Sequence, residues 1–334
     1  MKQYRGGGGA GYLRAIVSPG CYALIKSPKA KMEESRKLFL ENVEKVMSSA
    51  KDKAPADLLF SYKGVLYPSI LCSPEMFQKL ESLEARKDDV MLIAYPKCGT
   101  NWVIQILHEM IFMLTNKPPA PDISMIEFGT PDKIERMNQQ PSPRVLTSHL
   151  HPDNIPKSFF TNKTKKLVIF RNPKDTAVSY FHFYNNNALL PNFSSWDEFF
   201  QHFISGKVCW SSYFEHACAW NEYLDDENVL IVTYEDLKEN LVAGVKQIAE
   251  FFGLPLTQEQ IQEIADKSTF QNMKAKSRET HGNFGHVVFR KGDIGDWKSY
   301  FSPAQNQEMD DSFNKYLAGT KLGAKLKYDV HCKA

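Results

Sequence analysis

Apolar positions along this chain fall into two alternating patterns. Short, nearly continuous apolar runs occupy 90–95 (VMLIAY), 144–148 (RVLTS), 166–170 (KLVIF) and 229–233 (VLIVT). Runs this short and rich in Val, Ile and Leu predict buried strands. Between and after them, apolar residues recur at helical spacing over 101–115, 173–185, 236–252 and 258–266, which predicts helices. Apolar strands separated by helices predict an α/β fold: a single domain with a central parallel sheet flanked by helices. In such sheets ligands sit outside the carboxyl ends of the strands, so the residues that follow 94, 148 and 170 carry the interest. The segments 116–142, 186–211 and 276–300 are polar and bear Pro or Gly. They are expected to cover that end of the sheet.

The chain before residue 57 reads differently. "GGGG" at 6–9 predicts a flexible start, and "MEESRKLFLENVEKVM" at 32–47 sets Leu40, Val43 and Met47 at helical spacing. Residues 1–56 are thus expected to be an N-terminal extension, flexible then helical, ahead of one domain at 57–334. Arg14 and Pro19 interrupt the apolar stretch near the start, which argues against a signal peptide. No apolar run is long enough to span a membrane. The six cysteines form no C-x-x-C pair and suggest neither a disulfide framework nor a zinc site. They fit a reducing compartment, the cytosol. Two sequons, "NKT" at 162–164 and "NFS" at 192–194, are of a length that chance supplies. With 41 basic against 39 acidic residues, net +2, the chain lacks the basic excess of a nucleic-acid binder. A composition that is 43% hydrophobic supports a sizeable core.

Four stretches carry the chemistry. "YPKCGTNW" at 95–102 joins a strand to a helix. Such a turn points backbone N–H groups at the helix N-terminus and makes an anion site. Gly99 lets the backbone come close, Lys97 adds charge, the Thr100 hydroxyl donates, and Trp102 offers a face to a base. In isolation the octapeptide is also an ordinary connection, and it lacks the Gly-Lys-Ser/Thr of a P-loop. The second stretch, "LVIFRNPKDTAVSYFHFY" at 167–184, repeats the arrangement. Arg171 stands at the strand end with a planar fork suited to phosphate. Pro173 suits the first helical turn, and Ser179 lies roughly two turns further up. The competing role for Arg171 is an ion pair with Asp175. Two anion-ready turns on neighbouring strands imply a ligand with two separate phosphate groups. The third stretch, "RKG" at 290–292, is a basic turn that can close over the second phosphate. The fourth, "LTSHLHPD" at 146–153, puts His149 just past a strand end, where a catalytic base belongs. His151, two residues on, has no carboxylate or cysteine spacing around it that would build a metal site.

With "VTYEDLKEN" at 232–240 and "FRKGDIGDWK" at 289–298, these motifs resemble the cytosolic sulfotransferase family in order and spacing, over about residues 57–334. "YPKCG" and "NQEMD" look most like its 6B branch. The resemblance implies a sulfuryl donor, 3'-phosphoadenosine-5'-phosphosulfate (PAPS), as co-substrate, with PAP as product. It implies a P-loop-like turn in which Lys97, Cys98, Gly99, Thr100, Asn101 and Trp102 hold the 5'-phosphosulfate. Arg171 and Ser179 would hold the 3'-phosphate, with Phe289, Arg290, Lys291 and Gly292. Tyr234, Ser268, Phe270 and Met273 would surround the adenine. His149 would be the general base and Lys97 would stabilise charge on the leaving phosphate oxygen. Phe183 and His149 would line the site of a small-molecule hydroxyl acceptor, a phenol or thyroid hormone such as thyroxine. No metal is implied. A sulfuryl group in transfer carries less negative charge than a phosphoryl group, which reduces the need for a magnesium clamp.

The sequence departs from the family at three of these places. Cys98 replaces a serine, Asn101 a threonine, and Thr147 a lysine two residues before the histidine. Cys98, beside a helix N-terminus and Lys97, is expected to be a reactive thiol. Dimerising relatives carry a segment reading Lys, three residues, Thr-Val, three residues, Glu. Here Lys298, Ser302, Pro303 and Gln307 stand at those positions. The expectation is a monomer or weak homodimer, because Pro303 removes a donor from a strand-like pairing. Two other functions compete with sulfuryl transfer. One is a nucleotide kinase, against which the missing Gly-Lys-Ser/Thr counts. The other is a non-catalytic nucleotide or hormone binding protein, against which His149 and Lys97 count and which the Thr147 departure keeps open.

Overall fold

The computed structural model describes residues 28–50, 53–120 and 122–333. The expected flexible start, with its glycine run, lies outside the described residues. Helix α1 (Pro28–Ser49) precedes a hairpin of β1 (Leu59–Tyr62) and β2 (Val65–Pro68). Its turn is Lys63-Gly64, both at positive φ, 51° and 81°, the backbone that closes a two-residue hairpin.

Four parallel strands form the centre: β3 (Val90–Ala94), β4 (Val145–Ser148), β5 (Lys166–Phe170) and β6 (Val229–Thr233), in the order β4-β3-β5-β6. Each falls within a residue of its expected place. Every residue of β3 and β5 is buried, which is why these runs do not alternate; the one polar member, Lys166, donates to the Phe159 and Thr164 carbonyls. The register sets Ile93 opposite Ser148 on one side and Val168 on the other. The strand ends Ala94, Ser148 and Phe170 therefore lie close together, and the turns leaving them converge.

Each turn hands the chain to a helix: α2 (Thr100–Thr115) after β3, α3 (Pro173–Asn185) after β5, α4 (Tyr234–Glu239) after β6. The single helix expected over 236–252 is two, α4 and α5 (Leu241–Phe252). They are broken at Asn240, whose backbone leaves the helical region (φ −145°, ψ 83°). Its side chain instead accepts the Ala243 N–H at 3.0 Å, the local competition that makes Asn a cap. Helix α6 (Gln258–Lys267) begins on a Thr257/Gln260 capping box, and α7 (Phe270–His281) follows. The three segments expected to cover the sheet end do so, but each contains a helix of its own, Lys133–Gln139, Trp196–Ile204 and Gly285–Val288.

The C-terminal region corrects one expectation. Pro303 is the first residue of helix α8 (Pro303–Tyr316), with Ser302 as its cap. A first-turn N–H has no intrahelical partner, so Pro303 removes nothing there. The segment is helical, and a lost strand-like pairing is not the consequence of this proline.

Candidate active site

The turn after β3 is shaped by two left-handed residues, Lys97 (φ 70°) and Gly99 (φ 107°). A Cβ on Gly99 would lie 3.0 Å from the Tyr234 ring and 3.3 Å from Ile169, so conformation and crowding both require glycine. Beyond it begins the 16-residue helix α2, whose free N–H groups and dipole favour an anion. Thr100 is buried at this end, and its hydroxyl oxygen has no partner. Lys97 is half-buried. Burial, and then the charges of Arg171 and Arg290, bring its pKa from 10.5 down to about 7. Three cations thus repel one another where an anion would relieve them.

Cys98 does not join this cradle. It is fully buried, its Sγ lies 3.7 Å from the Thr176 hydroxyl, and its N–H donates to the Tyr95 carbonyl at 3.2 Å. Burial pushes the thiol up to about 12. The reactive thiol expected from sequence is therefore corrected: desolvation outweighs the helix N-terminus and the nearby charge.

The second turn is built on Asn172, which caps α3 by accepting the Asp175 N–H at 2.8 Å. Asp175 in turn accepts the N–H groups of Gly295 (2.7 Å) and Trp297 (3.1 Å), tying the basic 290–297 loop to the start of α3. Arg171 donates from Nη2 to the Asp293 carbonyl at 2.7 Å and lies 4.5 Å over the Tyr234 ring. Its Nε is buried without a partner, and Asp175 stands 4.0 Å away. Arg290 and Lys291 both donate to Asp296 at 2.5 Å. Gly292 sits against Phe270 so closely that a Cβ would meet the ring at 2.1 Å. Trp102 donates to the Ser268 carbonyl at 2.7 Å and meets the Tyr234 ring edge-on at 5.1 Å. The Ser268 hydroxyl is buried and unpartnered.

One cavity of about 540 Å³ joins these features to His149. Lys97, Gly99, Thr100, Asn101, Trp102, Ser179, Phe183, Tyr234, Phe270, Met273, Phe289, Arg290, Lys291, Gly292 and His149 all line it. Cys98, Arg171 and Ser268 lie behind the wall, not on it. The partnerless Thr100 hydroxyl, Arg171 Nε and Ser268 hydroxyl, set beside so many cations, suit a ligand rich in phosphate oxygens.

His149 is held at two points. Its Nδ1 lies 2.6 Å from the Ala94 carbonyl, so Nδ1 carries the proton and Nε2 keeps its lone pair. Its main-chain N–H donates to Glu127 Oε1 at 2.8 Å. Desolvation lowers the imidazole pKa to about 4, with Lys97 adding to the effect and the Ala94 carbonyl opposing it. The ring is neutral at pH 7 and able to accept a proton. Thr147 does not line the cavity: it is fully buried behind two residues that do, 3.1 Å from the Ser124 hydroxyl and 2.9 Å from the Met125 sulfur.

Sequence reasoning missed two residues of the site, Glu127 and Trp210, and gave Asp175 only an ion pair with Arg171. Glu127 anchors His149 and is fully buried, which raises its pKa to about 7. Asp175 anchors the basic loop. Trp210 meets the His149 ring edge-on at 5.0 Å and stands with Ser211 in the left-handed region, φ 62° and 65°, the kind of strain that clusters at functional sites. Among the described residues no group of His, Cys, Asp and Glu is placed to hold a metal ion. Nor is any described helix long and apolar enough to cross a membrane.

A family model described as Sulfotransferase domain matches residues 87–321. The chain belongs to the sulfotransferase family and is a PAPS-dependent sulfotransferase, taking a small-molecule acceptor. Sulfotransferase 6B1 of Mus musculus is 52% identical over 297 residues, 89% of this chain and 98% of the relative. Sulfotransferase 6B1 of Danio rerio is 52% identical over 289 residues, 86% of this chain and 98% of the relative. The resemblance to the 6B branch holds. The crystal structure of mouse sulfotransferase SULT7A1 complexed with PAP has a TM-score of 0.74 and 32% identity, covering 83% of this chain and 100% of that one. Retinol dehydratase in a complex with retinol and PAP has a TM-score of 0.68 at 20% identity, over 84% of this chain and 95% of that one, a likeness of fold alone.

Proposed function

We propose that this enzyme sulfates a hydroxyl of a small apolar molecule, a phenol in the first instance, with His149 as general base. In this reading PAPS supplies an activated sulfuryl group whose bond to the phosphate oxygen breaks. His149 Nε2 takes the acceptor's proton as the acceptor oxygen bonds to sulfur in line. Lys97 offsets the charge that collects on the departing phosphate oxygen. Gly99, Thr100, Asn101 and Trp102 hold the 5' end through the α2 N-terminus, with Cys98 contributing backbone only. Ser179, Arg290, Lys291 and Gly292 hold the 3'-phosphate, with Arg171 acting from beneath the 290–293 loop once it releases the Asp293 carbonyl. Tyr234, Phe270 and Met273 enclose the adenine, with Ser268 behind them, Phe289 stands beside the 290–292 turn at the 3'-phosphate, and Phe183 borders the acceptor.

The observation that carries the reading is the bond between His149 Nδ1 and the Ala94 carbonyl, because it leaves the Nε2 lone pair free on a residue that lines the same cavity as Lys97. The same reading takes residues 1–56 as an extension to a catalytic domain at 57–334. It places the enzyme in the cytosol, working without a metal, as a monomer or weak homodimer. The test is transfer of labelled sulfuryl from PAPS to a panel of phenols, steroids, amines and iodothyronines in the presence of a chelator. Phenols and phenolic iodothyronines should lead. A panel labelled only on amines would overturn the hydroxyl assignment.

A further inference from the structure

Helix α1 takes no part in the chemistry above, yet it faces the cavity. From residue 33 onward its half-buried positions are Ser35, Arg36, Phe39, Leu40, Val43, Val46 and Met47. They recur at helical spacing and form one stripe. Phe39, Val43 and Val46 from this stripe line the cavity together with Ser35 and Arg36. The helix is tied down at the cavity's margins. The Ser35 hydroxyl donates to the Pro119 carbonyl at 2.5 Å, the Phe39 ring meets His281 edge-on at 6.3 Å, and Leu40 lies 3.4 Å from where a Cβ on Gly282 would be. It thus spans two covering segments, one on each side.

Across the cavity runs a second stripe. Thr100, Ile104, His108 and Phe112 follow one another four residues apart along α2, and all four line the same space. From the donor turn at Thr100 to Phe112 the helix climbs about 18 Å at its ordinary rise. The cavity therefore continues well past the anion cradle, between the stripe of α2 and the apolar stripe of α1. A polar nucleotide gains nothing from Phe39, Val43 and Val46. An apolar tail does.

We propose that α1 is a wall of the acceptor chamber, and that Phe39 and Val43 set the length of apolar tail an acceptor carries beyond its hydroxyl. This rests on the sulfuryl-transfer reading for the place of the hydroxyl, but the wall itself is tested by binding. The substrate class it selects is a phenol bearing an extended apolar chain or second ring.

The test uses the full-length protein saturated with PAP and titrated calorimetrically with 4-ethylphenol and 4-octylphenol. Wild type should bind the octyl compound about tenfold tighter or more, since each buried methylene contributes. In Phe39→Ala/Val43→Ala that preference should fall to about twofold, the ethyl compound being unaffected within the same margin. Alanine keeps the helix propensity of α1, and an unchanged affinity for PAP reports an intact donor site. Val43→Phe should shift the preference toward shorter alkyl chains. Wild type without a chain-length preference, or a double variant that retains it, overturns the proposal. Because the readout is binding, an absence of turnover would count against the catalytic reading and leave this result standing.

Discussion

The Lys97 ammonium lies 4.1 Å from the centre of the Phe183 ring. The cation of the donor turn thus rests on an aromatic of the acceptor side, and one contact links the two halves of the reaction. Burial nonetheless holds its pKa near 7. A bound bisphosphate favours the charged form and raises that value, so above pH 7 binding must take up a proton. PAP affinity should fall as pH climbs from 7, by up to about tenfold per pH unit. Calorimetry at pH 8 in buffers of different ionisation heat should show the uptake, and Lys97→Met should abolish it. Equal heats in all buffers for the wild type would contradict the shifted lysine.

Arg171 offers its guanidinium to the Asp293 carbonyl and the Tyr234 face. If it turns to the 3'-phosphate, Arg171→Ala should weaken PAP by about tenfold or more, the worth of a charged hydrogen bond. Adenosine 5'-phosphate, which lacks that group, should lose far less. Equal weakening of both ligands would assign Arg171 to the fold of the 290–293 loop alone.

Cys98, buried with its thiol pushed up to about 12, should resist alkylation in the native enzyme. Of the described cysteines Cys218 is the one that is half-buried and not fully buried, so it should be modified ahead of Cys98. Peptide mass spectrometry after brief iodoacetamide treatment measures this. Rapid Cys98 labelling that PAP blocks would restore the reactive thiol.

Self-association should be weak. Gln307 stands where dimerising relatives carry glutamate, and its amide is spent on Asp311 at 2.9 Å. The missing charge counts twice across a two-fold axis. Sedimentation velocity should find a monomer at micromolar concentration. A dimer that persists at nanomolar concentration would show that another surface makes the contact.

The sheet was legible because buried parallel strands are dominated by Val, Leu and Ile, and 166–170 could be read to the residue. The hairpin was passed over because Lys63 stands before Gly64 where the usual two-residue signal has Asn, Asp or Gly. The break at Asn240 was hidden because an apolar pattern continues across it while the side chain caps the next helix. Site residues were legible where spacing fixes them to a turn, as with Lys97, Gly99 and His149. Which way a side chain leaves that turn was not: Cys98 points to Thr176 in the core. Glu127, and the loop-anchoring role of Asp175, were invisible because both residues act on backbone N–H groups of distant segments, those of His149 and of Gly295 and Trp297. Backbone donors leave no trace in residue identity.

In the proposed reaction His149, neutral and fixed by the Ala94 carbonyl, removes the acceptor's proton. The measurement is the rate of sulfuryl transfer from labelled PAPS to a phenol by wild type and His149→Ala, with PAP affinity recorded for each. A positioned base contributes ~10²–10⁴-fold, so the variant should lose that much turnover while binding PAP nearly as wild type does. A variant that keeps more than about a tenth of the rate, a loss well short of what a general base supplies, would contradict it.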